Sequence, residues 1–240
     1  MSEPFLSIVI PAYNEALRIR STVEKVRGYA ASKPFPVELI VVDDGSTDRT
    51  REVATQFPEV RSLQNDRNRG KGFTVRHGAL EARGRYVLFS DADLSTPIEE
   101  ADRLLAAIES SGADAAVGSR ALQRELIGVH QPWFREFAGR CFNLLVRLFT
   151  GLRLRDTQCG FKLFRRESTR RAFELQRVEG FGFDPELLFL IERLGGKVIE
   201  IPVRWNNNPA TKVRFLRDAV RMCLDLIALR WRALRGEYSA

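Results

Sequence analysis

The chain has 240 residues and a formal net charge of +7, with 44% apolar and 29% charged residues. This length supports one α/β domain with a sizeable hydrophobic core, and the composition excludes wholesale disorder. No uncharged apolar run approaches the roughly 20 residues of a membrane span, and the three distant cysteines, which form no CxxC pair, exclude a disulfide framework and a zinc site.

Short apolar runs alternate with segments of helical periodicity through the first half of the chain. The runs predict strands over 6–10, 37–42, 60–63, 86–89 and 113–117. The segments between them predict helices over 16–29, 47–57, 71–82 and 97–110. Ser46 or Thr47 is expected to cap the second helix, and Pro97 to lie in the first turn of the fourth. This alternation is typical of βαβ units, so we predict an α/β fold with a doubly wound, mainly parallel sheet.

Two amphipathic helices distinguish the second half of the chain. Residues 133–150 and 214–235 each combine an apolar side with a side rich in arginine. Between them, 161–164 and 197–203 predict strands and 185–194 predicts a helix. Such amphipathic helices either pack on the core or lie in a membrane surface. Their aromatic content and flanking arginines favour interfacial helices in contact with a membrane.

Two acidic turns follow predicted strands. Asp91 and Asp93 come directly after the strand 86–89, and residues 43–48 (Asp-Asp-Gly-Ser-Thr-Asp) follow the strand 37–42. Ligands of open parallel sheets bind outside the carboxyl ends of the strands. Two carboxylates at i and i+2 suit one hard divalent cation that bridges to phosphates. The turns therefore predict a nucleotide-diphosphate substrate on Mg²⁺ or Mn²⁺ at this edge.

Four short motifs occur at the ends of predicted strands or before a helix. They are residues 11–15 (Pro-Ala-Tyr-Asn-Glu), 43–46 (Asp-Asp-Gly-Ser), 68–72 (Asn-Arg-Gly-Lys-Gly) and 91–93 (Asp-Ala-Asp). In this order and spacing the chain resembles the family 2 inverting glycosyltransferases. That resemblance implies the A-type nucleotide-diphospho-sugar transferase fold and makes the protein an enzyme.

Three later segments narrow the resemblance. Residues 156–162 (Asp-Thr-Gln-Cys-Gly-Phe-Lys), 181–184 (Phe-Gly-Phe-Asp) and 211–213 (Thr-Lys-Val) are similar to those of dolichyl-phosphate β-glucosyltransferases. These enzymes are related to the polyprenyl-phosphate mannosyltransferases. The resemblance, which covers residues 5–215, implies inverting transfer of a hexose from a nucleotide sugar to polyprenyl or dolichyl phosphate, giving a β-linked product. UDP-glucose is the first expected donor and GDP-mannose the second.

The resemblance also implies a location and a division of the chain. Eukaryotic members of the glucosyl type usually begin with a membrane anchor, which this sequence lacks. We therefore expect a cytoplasmic protein, peripheral on the inner face of the cell membrane. Within a single domain over 1–240, we expect a nucleotide-sugar-binding half over 1–120 and an acceptor half over 121–213 that includes helix 133–150. Residues 214–240 are expected to form a C-terminal amphipathic helix.

The resemblance implies a set of donor-binding residues at the sheet edge. They are Pro11, Ala12, Tyr13, Glu15, Asp43, Lys71, Asp91, Ala92 and Asp93. Asp93 is expected to hold the metal, with Asp91 helping directly or through water or the ribose. Asp43 is expected to accept a hydrogen bond from the base, with Asp44 as the alternative. Lys71 precedes a helix N-terminus, a place suited to the diphosphate, although an ordinary surface lysine is the alternative.

The acceptor determines which further groups are needed. A lipid monophosphate is already an anionic nucleophile, so it needs cations to position it rather than a general base. The resemblance places Arg120, Arg135 and Lys212 around that phosphate and makes Arg120 catalytic together with the two carboxylates. Asp184 is assigned to sugar positioning, with a helix cap as the alternative.

Two other functions remain open at this stage. A family 2 enzyme acting on a hydroxyl acceptor needs a competent base in its acceptor cleft and no lipid. A membrane-surface adaptor that kept the fold and lost turnover is the non-enzymatic alternative. Nucleic acid is not an expected partner, because no basic-aromatic groove pattern accompanies the positive charge.

Overall fold

A computed structural model describes residues 3–208 and 215–238 of the chain. The strands are Leu6–Ala12 (β1), Val37–Asp43 (β2), Val60–Gln64 (β3), Tyr86–Ser90 (β4), Ala115–Ser119 (β5), Ile127–Val129 (β6), Phe161–Arg165 (β7), Val198–Pro202 (β8) and Trp205–Asn206 (β9). The helices are Ile19–Ala31 (α1), Thr50–Ala54 (α2), Lys71–Glu81 (α3), Ala101–Ser111 (α4), Trp133–Thr150 (α5), Arg166–Leu175 (α6), Phe183–Arg193 (α7) and Phe215–Leu234 (α8).

Seven strands form one twisted sheet in the order β3-β2-β1-β4-β7-β5-β8. Every neighbouring pair in it is parallel except the two pairs that β7 makes with β4 and β5. The prediction of a doubly wound, mainly parallel α/β sheet is therefore confirmed. Because β1 pairs with β2 on one side and β4 on the other, the chain changes direction across the sheet at β1. Open α/β sheets bind ligands at such a point.

Two apolar clusters cover the two faces of this sheet. Alternate residues of β1 point to opposite faces, so Ile8 joins helices α1 and α4 in one cluster and Val9 joins α3, α6, α7 and α8 in the other. Both faces are covered by helices, which explains why the central strands read as continuous apolar runs. A separate short pair, β6 with β9, lies outside the main sheet.

Several helix boundaries differ from the predictions. Helix α1 begins at Ile19 rather than at residue 16, and α2 is limited to Thr50–Ala54. The expected caps of α2 are wrong, because Ser46 Oγ accepts a hydrogen bond from the Asn14 backbone and Asp48 Oδ1 accepts one from Thr50 N. Pro97 precedes a 3-10 turn that leads into α4. Helix α6 had no predicted counterpart.

Tyr238, which follows α8 close to the C-terminus, is buried and connects this end of α8 to the interior. Its hydroxyl donates a hydrogen bond to Glu186 of α7. The other carboxylate oxygen of Glu186 accepts hydrogen bonds from the backbone of Arg177 and Val178, at 2.9 and 2.7 Å. Burial raises the pKa of Glu186, although these hydrogen bonds oppose the rise. This buried carboxylate therefore fixes both the end of α8 and the loop before α7.

Candidate active site

The carboxyl ends of β1, β2 and β4 surround a cavity of about 690 Å³, the sheet-edge cavity. Eight of the nine predicted donor-binding residues line it: Pro11, Ala12, Tyr13, Glu15, Lys71, Asp91, Ala92 and Asp93. Its volume falls in the range of roughly 300–1,000 Å³ that is typical of small-molecule sites. The parallel sheet thus brings together motifs that are separated by up to about 80 residues in the chain.

The turn after β4 presents both predicted metal ligands to the sheet-edge cavity. Asp91 N donates to Gly160 O at 3.0 Å, which attaches the turn to the segment before β7. Asp93 Oδ1 accepts a hydrogen bond from Ser95 N at 2.9 Å. Leu94, which follows Asp93, has a φ of 46°, a left-handed conformation that is unusual for leucine. Such backbone strain is commonly found at functional sites.

Lys71 reaches across the sheet-edge cavity to Asp91. Its Nζ lies 2.7 Å from Asp91 Oδ1, at the start of α3. Burial alone lowers the pKa of Lys71, but the carboxylates of Asp91, Asp184 and Asp93 outweigh it, so the pKa is raised. The ammonium therefore stays charged at neutral pH, as a diphosphate contact requires.

The two neighbouring aspartates at the end of β2 have different surroundings. Asp44 accepts hydrogen bonds from Asn65 Nδ2 and from the backbone of Arg69 and Gly70, at 2.7 to 2.9 Å, so its carboxylate shapes the loop before α3. Asp44 lines the sheet-edge cavity, whereas Asp43 is buried and is not part of its lining; Asp43 Oδ1 has no hydrogen-bond partner among the described residues. A buried acceptor without a donor is costly unless a ligand supplies one. Asp43 therefore keeps an unused acceptor atom, whereas both oxygens of Asp44 are already engaged.

A fully buried ion pair lies beside the sheet-edge cavity. Lys162 of β7 is completely inaccessible, and its Nζ donates to Asp184 Oδ1 at 2.6 Å and to the Cys159 carbonyl at 2.5 Å. Burial raises the pKa of Asp184 more than Lys162 and Lys71 lower it. Asp184 belongs to the first turn of α7, which begins two residues earlier than predicted. The sequence suggested no role for Lys162, although its place in the segment 156–162 singled it out.

The residues present fit a divalent cation at this turn. Asp91 and Asp93 line the sheet-edge cavity, where the phosphates of a nucleotide have room. Within 3–208 and 215–238, no three histidine, cysteine, aspartate or glutamate side chains cluster as metal ligands. Mg²⁺ and related ions are commonly bound by one or two carboxylates plus substrate phosphates, so two carboxylates suffice when the substrate completes the shell.

A second cavity, of about 250 Å³, lies between α5 and the end of β5, and we call it the arginine cavity. Five arginines and two carboxylates line it: Arg120, Arg124, Arg135, Arg140, Arg155, Glu136 and Asp156. It therefore carries an excess of three positive charges (five minus two). The predicted acceptor-phosphate residues Arg120 and Arg135 both line it, whereas Lys212 lies outside the described residues.

Arg120 is held tightly in the arginine cavity. Its Nε and Nη2 bind the two oxygens of Asp156 at 2.7 and 2.8 Å, and its guanidinium lies over the Trp205 ring. Although burial of the two groups opposes their ionisation, the attraction between them raises the pKa of Arg120 and lowers that of Asp156. The partner Asp156 stands in the segment 156–162, but the pairing itself has no local signal in the sequence.

Helix α8 contributes residues that the sequence reasoning did not assign to the site. Arg217 and Asp218 line the sheet-edge cavity together with Arg18, Asn68 and Phe181. Phe181 lies in the segment 181–184 that already carried the resemblance, so motif membership was a usable signal for it. For the two α8 residues, the only signal in the sequence was the general basic character of that helix.

The turn 156–160 separates the two cavities and touches both. Asp156 and Gln158 line the arginine cavity, while Gly160 O accepts from Asp91 N at the sheet-edge cavity. A Cβ atom built on Gly160 would lie 1.9 Å from Asp91 Oδ2, so only glycine allows this approach. The structure thus places an acidic, nucleotide-sized cavity directly beside a cationic one.

This arrangement and the sheet topology are those of the A-type glycosyltransferase fold. A family model described as "Glycosyl transferase family 2" matches residues 7–173. The chain belongs to glycosyl transferase family 2. The predicted family and enzyme class are therefore confirmed.

Curated relatives refine the comparison. The chain is 37% identical over 241 residues to a dolichyl-phosphate beta-glucosyltransferase of Trichomonas vaginalis, covering 95% of this chain and 71% of the relative. It is 38% identical over 250 residues to the Drosophila melanogaster dolichyl-phosphate beta-glucosyltransferase, covering 97% and 76%. The similarity to this group, which the segment 156–162 predicted, is confirmed.

Solved structures share the fold. Glucosyl-3-phosphoglycerate synthase from Mycobacterium tuberculosis in complex with UDP aligns with a TM-score of 0.67 at 21% identity, covering 95% of this chain and 79% of that one. The same synthase in complex with Mn²⁺ and UDP-glucose aligns with a TM-score of 0.66 at 22% identity, covering 94% and 77%. At this identity the likeness supports the A-type fold.

Proposed function

We propose that the chain transfers glucose from UDP-glucose to a polyprenyl or dolichyl phosphate, with inversion at the anomeric carbon. The observation that carries this proposal is the pair of cavities, one acidic and one rich in arginine, that the turn 156–160 joins by lining the second and contacting Asp91 of the first. The curated relatives named for this activity support the choice of sugar and acceptor. The Mn²⁺ and UDP-glucose complex of the structural neighbour supports the donor.

The donor fits the sheet-edge cavity through residues already described. Asp43 Oδ1 accepts a hydrogen bond from the base, Tyr13 and Glu15 complete the nucleoside pocket with Pro11 and Ala12, and Lys71 binds the diphosphate. Asp91 and Asp93 would hold Mg²⁺ or Mn²⁺, which would supply Lewis-acid stabilisation of the charge on the diphosphate. Ala92 lies between these two carboxylates, and its carbonyl accepts a hydrogen bond from Thr22 Oγ1 of α1, which attaches the turn to that helix. The charge of Lys71 stabilises the leaving diphosphate.

The acceptor phosphate is bound in the arginine cavity. Its oxygen forms the new bond to the anomeric carbon while the bond from that carbon to the donor diphosphate breaks, so the nucleoside diphosphate leaves. Arg135, together with the ion pair of Arg120 and Asp156, positions this anion. Lys212 belongs to the same proposed set on the sequence pattern. No proton must be removed from a phosphate monoanion or dianion, so Asp184, paired with Lys162, serves to position the sugar rather than to act as a base.

A transfer assay tests the function directly. Radiolabelled glucose should move from UDP-glucose to polyprenyl phosphate when Mg²⁺ or Mn²⁺ is present. GDP-mannose is the competing donor. Polyprenol, which has a hydroxyl in place of the phosphate, is the matched control acceptor and should receive no sugar. Transfer to polyprenol at a comparable rate would establish the hydroxyl-acceptor alternative, and no transfer from either donor would refute the proposal.

The exposed sides of α5 and α8 support a membrane surface as the third partner. The two helices pack together, and each exposes a row of apolar side chains, which we call the apolar band. The band consists of Trp133, Phe134, Phe137, Cys141, Leu144, Leu145 and Leu148 of α5, and Val220, Leu224, Ile227, Trp231 and Leu234 of α8. None of the helices in the described ranges is long and apolar enough to cross a bilayer. We therefore propose peripheral attachment to the cytoplasmic face of the cell membrane.

Cys141 offers a test of this attachment, because its thiol is exposed within the band. In a Cys223→Ser background we expect anionic vesicles to slow maleimide labelling of Cys141 by about tenfold, since an interfacial helix buries its apolar face. Cys159 should not react, because burial raises the pKa of its thiol to about 11. The measurement is the labelling rate by mass spectrometry.

The matched control moves the thiol away from the apolar band. Ser110 is exposed on α4, which packs on the opposite face of the sheet from α8. A Ser110→Cys variant without Cys141 and Cys223 should be labelled at the same rate with and without vesicles. Equal labelling of Cys141 under both conditions would contradict membrane contact by α5.

Gly160→Ala should damage the site while sparing the fold. The added methyl group must displace Asp91, so we expect kcat/KM for the sugar transfer to fall by about 10²-fold, the scale of losing one electrostatic contact at a reacting centre. Gly28→Ala is the control, because a Cβ on Gly28 has no heavy atom within 4 Å and lies within α1. That variant should keep wild-type activity. Wild-type kcat/KM in Gly160→Ala would disprove this reading of the turn.

A further inference from the structure

Most charged groups in the arginine cavity are already paired with each other. Arg120 binds Asp156, and Arg124 Nη2 donates to Glu136 Oε2 at 2.6 Å. His130 Nδ1 lies 2.8 Å from the other oxygen of Glu136. These pairs fix the walls of the cavity, and they leave its excess positive charge without a counter-ion from the described residues that line it. The cavity is therefore built to receive an anion.

Two buried donors in this cavity have no hydrogen-bond partner among the described residues. They are Arg135 Nε, in the first turn of α5, and Gln158 Nε2, in the turn before β7. An unsatisfied buried donor destabilises the folded protein, so such atoms are rare unless a ligand satisfies them. Both residues line the same cavity, Arg135 on the wall formed by α5 and Gln158 on the wall formed by the turn 156–160. An oxyanion between these walls can accept hydrogen bonds from both.

Gln158 is held in place by the ion pair that involves Arg120. Its backbone N donates to Asp156 Oδ1 at 3.1 Å, and the same oxygen accepts from Arg120 Nη2. Two residues later, Gly160 O accepts from Asp91 N. Gln158 therefore lines the arginine cavity two residues before the contact that joins this turn to Asp91 of the sheet-edge cavity.

We propose that Gln158 and Arg135 are the direct ligands of the acceptor phosphate, and that Arg120 with Asp156 is the frame that positions Gln158. This inference rests on the proposed function and reassigns part of the role expected of Arg120. The substrate class is a phosphate monoester. A neutral amide donor orients one phosphate oxygen without a second full positive charge on it, so the oxygen keeps the electron density that it needs as a nucleophile. The cationic ligand, Arg135, binds the rest of the headgroup.

The test replaces Gln158 with methionine, which has a similar shape and no N–H donor. Loss of one hydrogen bond to a charged group should raise the KM for polyprenyl phosphate about 10- to 100-fold. The KM for UDP-glucose should stay within about twofold, because Gln158 does not line the sheet-edge cavity. Gln158→Glu should be worse than methionine, since it adds a negative charge beside the phosphate. Gln123→Met changes an exposed glutamine in the loop after β5 that lines neither cavity; it is the control and should behave as wild type.

A binding measurement separates this inference from the proposed function. Geranyl phosphate is titrated calorimetrically into wild type and Gln158→Met in the presence of UDP and Mn²⁺. If the wild type transfers sugar and Gln158→Met and Gln158→Glu have the same KM for polyprenyl phosphate as the wild type, the Gln158 assignment is wrong and the proposed function stands. If no sugar is transferred but geranyl phosphate binding depends on Gln158, the function fails and the anion site stands. Equal losses of donor and acceptor affinity with a lower melting temperature would make Gln158 a structural residue and overturn the inference.

Discussion

Replacing Asp93 with alanine is expected to lower metal-dependent sugar transfer by on the order of 10³-fold or more, with the fold intact. Asp93 lines the sheet-edge cavity on a turn, so its loss leaves no cavity in the core. The remaining carboxylate, Asp91, is shared with Lys71 at 2.7 Å and cannot replace it alone. The measurements are kcat/KM with Mn²⁺ and the calorimetric affinity for UDP with and without the metal.

The matched control is Asp66→Ala, which removes an exposed aspartate outside the sheet-edge cavity. It should retain wild-type turnover and the same gain in UDP affinity on adding Mn²⁺. Both variants should show the wild-type circular dichroism spectrum. Full turnover in Asp93→Ala would remove the metal assignment, and an unfolded Asp93→Ala would show that the turn is structural.

Lys162→Met is expected to destabilise the protein by about 3–5 kcal/mol, because it leaves the Asp184 carboxylate buried without its partner. Asp184 then takes up a proton more readily in the folded state than in the unfolded state. A folded-state pKa above the unfolded value means that stability falls as the pH rises through that range. The loss should therefore be larger at pH 8 than at pH 5. Urea unfolding followed by tryptophan fluorescence measures both values.

A second substitution distinguishes the ion pair from simple packing. Lys162→Met combined with Asp184→Leu should recover most of the lost stability, because an apolar pair of similar size is often as stable as a buried ion pair. The exposed pair Arg49 with Glu52 is the control, and Arg49→Met should leave the free energy of unfolding nearly unchanged, because solvent screens an exposed ion pair. Equal costs at the two sites would contradict the burial argument.

The sequence predicted much of the fold because apolar runs and helical periodicity are local signals. Five strands of the first half and the helix Trp133–Thr150 were predicted close to their observed bounds. The antiparallel position of β7 between β4 and β5 was not predictable in this way, since strand order depends on contacts between distant segments. Helix α6 was missed because its buried positions include Thr169 and Ala172 alongside charged residues, which weakens the apolar pattern.

The candidate site likewise contains features that local sequence signals predict and features that depend on contacts between distant residues. Parallel strands place their carboxyl ends at one edge, so motifs at those ends could be combined into one cavity from the sequence alone. The pairs Lys162 with Asp184 and Arg120 with Asp156 join residues that are 22 and 36 positions apart, and no local pattern encodes them. The sequence favoured an exposed apolar side for α5 but could not fix it, because amphipathicity defines two sides of a helix and not their surroundings.

The buried contact of Tyr238 connects the segment after α8, through Glu186, to the start of α3 at the sheet-edge cavity. Glu186 accepts a hydrogen bond from the Tyr238 hydroxyl and also accepts hydrogen bonds from the backbone of Arg177 and Val178. The Val178 carbonyl oxygen in turn packs against Gly72, where an added Cβ atom would lie 2.5 Å from it. Gly72 follows Lys71 at the start of α3. Shortened or C-terminally fused versions of this protein should therefore be judged by their affinity for UDP, and not by solubility alone.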